Sequence, residues 1–275
     1  MLASLTHTGP NPASALLIVA IFLSAAANDA SLHAQAFAFD PENDLLALHY
    51  DHAPDKDDGQ SAAADRTILE SLFNSGWIEE RVVAVSGTYG QNSRQFDPGS
   101  DRVMDAVWND VGGWYAAHPD PKRVLDEVTA RWLAALEAGG DVWVKEGGQS
   151  DLTAEIVQRV RDASLRVDTR KSIHVVQHSQ WNEDQTTDAA LAYVRENTDY
   201  NRIRDANAYL NIEGGNPEFV TAAVGDPRSG AMWRAAFAYY DPEERLDFSD
   251  TGELMFILGL GELDVSEFQE RFLYR

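Results

Sequence analysis

The chain has no cysteine, and its 22 Lys and Arg are outnumbered by 45 Asp and Glu. Without cysteine there is no disulfide framework and no thiol nucleophile. The net charge of −23 creates a field that repels nucleic acid and anionic membranes. No dense cluster of Lys and Arg interrupts it. The expected partner is a small molecule or a cation, and a homo-oligomer is left open. The apolar stretch "ALLIVAIFLSAAA", from Ala15 to Ala27, is too short to span a bilayer with ease. It has the size of a signal-peptide core, although the basic residues that usually precede such a core are absent. Small residues at Ala34 and Ala36 predict cleavage before Phe37. The expected organisation is therefore a leader over 1–36 and one domain over 37–275. The expected location is secreted or periplasmic, with no membrane attachment after cleavage.

Aromatic and aliphatic residues are plentiful. With 275 residues, 44% of them hydrophobic, the chain can bury a sizeable core. "LLALHY", "RVVAVSGTYG", "DVWVKEGGQS" and "SIHVVQHS" read as strands that run into polar or glycine-rich loops. A helix is expected from Ser61 to Asn74. "PKRVLDEVTARWLAALEAGG" carries Val124, Leu125, Val128, Trp132, Leu133 and Leu136 at helical spacing. "DLTAEIVQRVRDAS" and "TTDAALAYVRENT" read as further helices, and "ANAYLNIE" as a short strand. "DTGELMFILGLG" opens on Asp250 as a helix cap. Alternating strands and helices predict an α/β fold: a single Rossmann-like domain whose mostly parallel central sheet has helices on both faces.

In such sheets ligands bind beyond the carboxyl ends of the strands, where this chain concentrates its polar residues. The loops would bring Asp51, Asp57, Asp58, Asn92, Asp151, Asn182 and Asp250 to one rim. Each has a local alternative as a turn former or cap; Asp58 and Asp151 stand where helices begin. Gathered together, the carboxylates repel one another unless a cation or protons intervene. An all-oxygen set suits Ca²⁺ or Mg²⁺. His174 and His178 lack a third partner for zinc. His52, inside the acidic loop, is a candidate acid. Trp181, beside His178, Asn182 and Glu183, offers a ring to stack on a ligand, and Trp114 is expected on the same rim.

"DHAPDKDD", from Asp51 to Asp58, resembles the Asp-x-Asp-Pro-Gly-x-Asp-Asp motif of the nucleoside hydrolases and their nucleoside-hydrolase-like relatives. "TYGQNS" with Asn92 resembles the family's second-strand loop, Gly147–Leu152 its third-strand loop, and Ser249-Asp250 the start of its late helix. The resemblance spans Leu45 to Leu260. It implies a calcium-dependent hydrolase of N-glycosidic bonds to ribosyl or related sugars. It also implies calcium held by Asp58, Asp250 and the carbonyl of Ser150, with Asp57 and Asn92 meeting the substrate; Asp51, at its strand end, is expected as a further calcium ligand, and Trp181 and Asn182, in the fourth loop, as further substrate contacts. Two positions depart from the family. Ala53 stands where the family has its base and a calcium ligand, and Ser249 stands where a histidine is usual. Asp51 or Asp55 is left to supply the missing carboxylate. Asp51, fixed at a strand end, is the expected base, so the expected catalytic pair is Asp51 and Asp57. The alternatives are a catalytically inactive carbohydrate- or nucleoside-binding protein of the same fold, favoured by Ala53, and an unrelated Mg²⁺-dependent hydrolase or phosphatase.

Overall fold

The computed structural model describes residues 39–53, 56–91 and 96–273. The expected leader and its cleavage position lie outside these residues, as do Asp55 and Asn92. The strands of the main sheet are β1 (Leu45–Tyr50), β2 (Val82–Ser86), β3 (Tyr115–Ala116), β4 (Val142–Gly147), β5 (Ile173–Gln177) and β6 (Asp199–Arg202). Among the described residues they form one parallel sheet in the order β3-β2-β1-β4-β5-β6. β1 and β4 are buried along their whole length, as central strands covered on both faces must be. Each buried Leu or Val there contributes roughly 1.5–3 kcal/mol. The α/β class and the parallel sheet expected from the sequence are what the structure has.

Helices cover both faces. They are α1 (Asp57–Leu72), α2 (Ser75–Arg81), α3 (Asp101–Trp108), α4 (Pro121–Glu137), α5 (Asp151–Ala163), α6 (Thr169–Ser172), α7 (Gln180–Gln185) and α8 (Asp188–Asn197). After β6 follow α9 (Asn207–Leu210), α10 (Pro217–Gly225), α11 (Gly230–Tyr239), α12 (Thr251–Ile257) and α13 (Val265–Phe272). A small antiparallel pair, β7 (Asn211–Glu213) with β8 (Arg245–Asp247), precedes α12. One core packs Leu46, Leu48 and Tyr50 of β1 against Ala62, Ile68 and Leu69 of α1 and the aromatic group Trp233, Phe248 and Phe268. The other packs Leu45, Ala47, Val142 and Val144 against Trp132 of α4 and Ile156 and Val157 of α5. Alternate residues of β1 and β4 thus feed opposite cores, as the period of two in a strand requires.

Three local expectations change. The helix expected from Ser61 begins at Asp57, which moves Asp57 and Asp58 out of the loop and into a first turn, where the helix dipole favours carboxylates. The first half of "ANAYLNIE" is the single turn α9, and only Asn211–Glu213 is strand. Asp250 occupies the cap position of α12, but its side chain makes no cap hydrogen bond; it is used elsewhere. Among the described residues no helix is long and apolar enough to cross a membrane.

Candidate functional site

The sheet order reverses direction at β1. From it the chain builds outward through β2 and β3, and then on the other side through β4, β5 and β6. The crevice between the carboxyl ends of β1 and β4 is the switch point where such sheets take ligands. Asp51 follows β1 there and is buried. Its Oδ2 accepts from Gln149 Nε2 at 2.5 Å and its Oδ1 from the Ala53 N–H at 2.8 Å. Gly148 makes this approach feasible. It has φ +120°, and a Cβ on it would stand 2.5 Å from Asp51 Cγ, so any side chain would displace the carboxylate.

The carboxylates that converge are Asp57, Asp58 and Asp250, each offering an oxygen within 4.8 Å of the others. α1 supplies the first two from its first turn, and Asp250 enters from the start of α12. Asp58 Oδ2 accepts from the His52 N–H at 2.5 Å, while its Oδ1 is buried without a hydrogen-bond partner. Asp250 Oδ1 lies 2.8 Å from His178 Nε2. Burial, then the charges of Asp51 and Asp250, push Asp58 well above the usual carboxylate range. Burial acts the same way on Asp250, but Lys145 and the His178 hydrogen bond outweigh it and hold Asp250 well below that range. Two touching carboxyl groups thereby divide one proton and one charge between them.

Two buried cations stand behind the acids. Lys145 of β4 is fully buried, with its ammonium 3.6 Å from Asp65 and 4.1 Å from the centre of the Tyr50 ring. Burial works against its charge, but Asp65, Asp250, Glu253 and Asp58 more than compensate and keep it protonated. His178 sits beyond β5, its Nδ1 3.4 Å from Asp205. Burial opposes its charge too, yet the hydrogen bonds to Asp205 and Asp250 raise it to about 10. Glu253, fully buried on α12, accepts from the His178 N–H at 2.8 Å. Burial pushes Glu253 up to about 8, and its Oε2 has no hydrogen-bond partner.

A cleft of ≈ 140 Å³ opens over this group, lined by Asp57, Asp250, His178, Trp181, Asn182 and Arg245 among others. It is well below the roughly 300–1,000 Å³ of pockets that enclose drug-sized ligands; one sugar ring is the scale it suits. Trp181 is 40% exposed at its edge, and Asn182 is buried in its wall. A chain of polar contacts runs along that wall from Asp250 through His178 and Asp205 to Asn207 and Asn211.

The expected residues therefore fall into groups. Asp57, Asp58 and Asp250 are together; Trp181 and Asn182 face the same cleft. Asp51 stands next to Asp58 but is tied to Gln149 and Ala53. Ser150 occupies the cap position of α5. Its carbonyl accepts the Ala154 N–H at 2.9 Å and its hydroxyl donates to Gln177. Asp151 does not cap α5; its carboxylate accepts from the N–H and hydroxyl of Thr187. His52 is fully buried at φ +50° with both ring nitrogens lacking hydrogen bonds, and burial lowers it to about 3, so it is neutral. His174 lies at the opposite end of β5, stacked on Trp143. Trp114 donates to Asp105 and does not line the cleft. Lys145, His178, Gln149 and Glu253 were absent from the expected set. A lysine inside the apolar run "VWVKEGG" was the available signal for the first of them.

Compared with family models, with curated proteins and with solved structures, the chain matches none.

Proposed function

We propose that the chain is a calcium-dependent hydrolase of N-glycosidic bonds, of the nucleoside-hydrolase type, acting on ribosyl or related sugars. The observation that carries this reading is the convergence of Asp57, Asp58 and Asp250 at the cleft, with Asp58 Oδ1 buried and lacking a hydrogen-bond donor. A donor set made of oxygens alone fits a hard cation, so these three residues would hold calcium. Bound there, calcium supplies positive charge that offsets the carboxylate repulsion and attracts sugar hydroxyl oxygens. The carbonyl of Ser150 keeps a second lone pair beyond its bond to Ala154 and is proposed as a further donor.

Asp57 accepts a hydrogen bond from a sugar hydroxyl, Asn182 reads a neighbouring one, and Trp181 stacks on the ring or leaving group. Asn92, outside the described residues, keeps its proposed place as a substrate contact. Asp51 takes the proton of the attacking water, with Gln149 holding its carboxylate in one position. The surrounding carboxylates favour the positive charge that develops on the sugar. The test is release of reducing sugar from a panel of nucleosides and small glycosides with added calcium. Asp51→Asn and Asp57→Asn should each lose most turnover while keeping the wild-type melting temperature within a few degrees. Full turnover in Asp51→Asn removes it as the base.

A second reading is a catalytically inactive carbohydrate- or nucleoside-binding protein. Ala53 favours it: it is buried and stands where the resembled family has a carboxylate. Wild-type protein that binds panel members in calorimetry but hydrolyses none selects this reading.

A further inference from the structure

We propose that the glycosyl unit taken by this cleft bears an anionic substituent, a phosphate or a carboxylate, and that Arg245 is the residue that selects it. The inference rests on the calcium and sugar reading above, and adds to it the chemical class of the substrate.

Arg245 lines the same cleft as Asp57, Asp250 and Trp181. In a chain with 45 acidic residues against 22 basic ones, an arginine has acids to pair with almost anywhere. Lys122, Arg123, Arg159, Arg195 and Arg204 do so, whereas Arg102, Arg166 and Arg271 lie away from the cleft lining without an ion pair among the described residues. The Arg245 guanidinium forms no ion pair among the described residues, although Glu213 stands opposite it in the β7–β8 register. Its backbone is nonetheless fixed: the carbonyl accepts from Gln60 Nε2 at 3.1 Å, and Asp247, two residues on, donates its N–H to Gln60 Oε1. The chain thus carries an exposed planar cation, on a fixed backbone, among the residues that line an acidic cleft.

That arrangement answers a problem of charge. With a net −23 and three carboxylates at the base of the cleft, an anionic ligand is repelled unless a local cation receives it. Guanidinium presents a fork of donors that matches phosphate and carboxylate oxygens two at a time. The cleft's ≈ 140 Å³ leaves a substituent on the sugar at the rim, where Arg245 stands. A neutral nucleoside would leave Arg245 without a partner; a phosphorylated or carboxylated sugar supplies one.

The test uses the full chain loaded with calcium and three probes in titration calorimetry: ribose, ribose 5-phosphate and glucuronate. Ribose 5-phosphate, glucuronate or both should bind about tenfold or more tightly than ribose, the size of one charge-assisted hydrogen bond. Which of the two gains tells phosphate from carboxylate. Arg245→Gln should abolish the gain while ribose binding and the melting temperature stay as in wild type, and Arg245→Lys should keep part of it. Equal binding of ribose and both anionic probes overturns the inference and leaves the sugar reading standing. A preference that survives in Arg245→Gln also overturns it, because the bound cation then accounts for it. Absence of binding by all three probes overturns both readings.

Discussion

Lys145 and Glu146 are neighbours in β4, both fully buried, and their side chains enter opposite faces of one sheet. Glu146 makes its contact through one oxygen, while its Oε2 and the His49 Nε2 are buried without a hydrogen-bond partner. Its Oε1 lies 3.2 Å from His49 Nδ1, which is also 3.0 Å from Thr153 Oγ1, and the His49 ring stacks on Trp132. Lys145 enters a group in which acids are in excess: Asp58, Asp65, Asp250 and Glu253 share it, with His178 as a second cation. Equal burial therefore has two outcomes. The Glu146–His49 contact on the α5 side is enclosed and lies away from the cleft lining. An unmatched group on the α1 and α12 side is left short of positive charge and opens into the cleft. On the proposed reading, shortage of charge, rather than depth of burial, marks the face proposed to take a ligand.

The sharpest break in that comparison is Lys145→Met. It removes the ammonium while keeping an unbranched stem, and should cost about 3–5 kcal/mol in urea unfolding, the range for removing one partner of a buried ion pair. Calcium should restore part of this loss. Glu146→Gln keeps an acceptor for His49 and should cost about 1 kcal/mol. Equal losses in the two variants would mean the faces do not differ in kind.

Acidity sharpens the comparison next. Glu253 titrates at about 8 in the fold against its ordinary 4.5, so the folded state holds its proton longer than the unfolded chain. Its contribution is complete below about 4.5 and is lost as pH rises through about 8. His178, raised from 6.5 to about 10, acts in the same direction at higher pH. Thermal stability without calcium should fall from pH 5 to pH 9. Glu253→Gln should flatten the fall between pH 5 and 8. The smallest effect on stability is that of Trp181→Ala. With the ring 40% exposed, the change should lie within about 0.5 kcal/mol. Sugar binding should nevertheless weaken, which separates the cleft from the core beneath it.

Much of this molecule is written in local pattern. "LLALHY" and "SIHVVQ" are apolar runs of strand length, and the alternation with helices names a parallel sheet whose polar loops share one end. That end of the sheet does bring Asp57, Asp250, Trp181 and Asn182 to one cleft, with Asp58 beside the first two. The start of α1 is less legible: Asp58 reads as a cap for a helix from Ser61, whereas the helix begins at Asp57. Asp250 looked like a cap, but His178, distant in sequence, claims its carboxylate. The same holds for the tie of Asp51 to Gln149, 98 residues away. Partners separated by that much chain leave no local signal.

On the proposed reading the acidic face needs a cation and the cleft receives one. Calcium titration of the full chain, followed by calorimetry and by melting temperature, tests it directly in wild type, Asp58→Asn and Glu146→Gln. Stabilisation of about 2.7 kcal/mol is expected when calcium reaches a hundredfold excess over its dissociation constant. That response should be lost in Asp58→Asn, which without calcium should be as stable as wild type or more so, and should stay intact in Glu146→Gln. A wild type indifferent to calcium, or an Asp58→Asn variant that responds as fully as wild type, would contradict this reading.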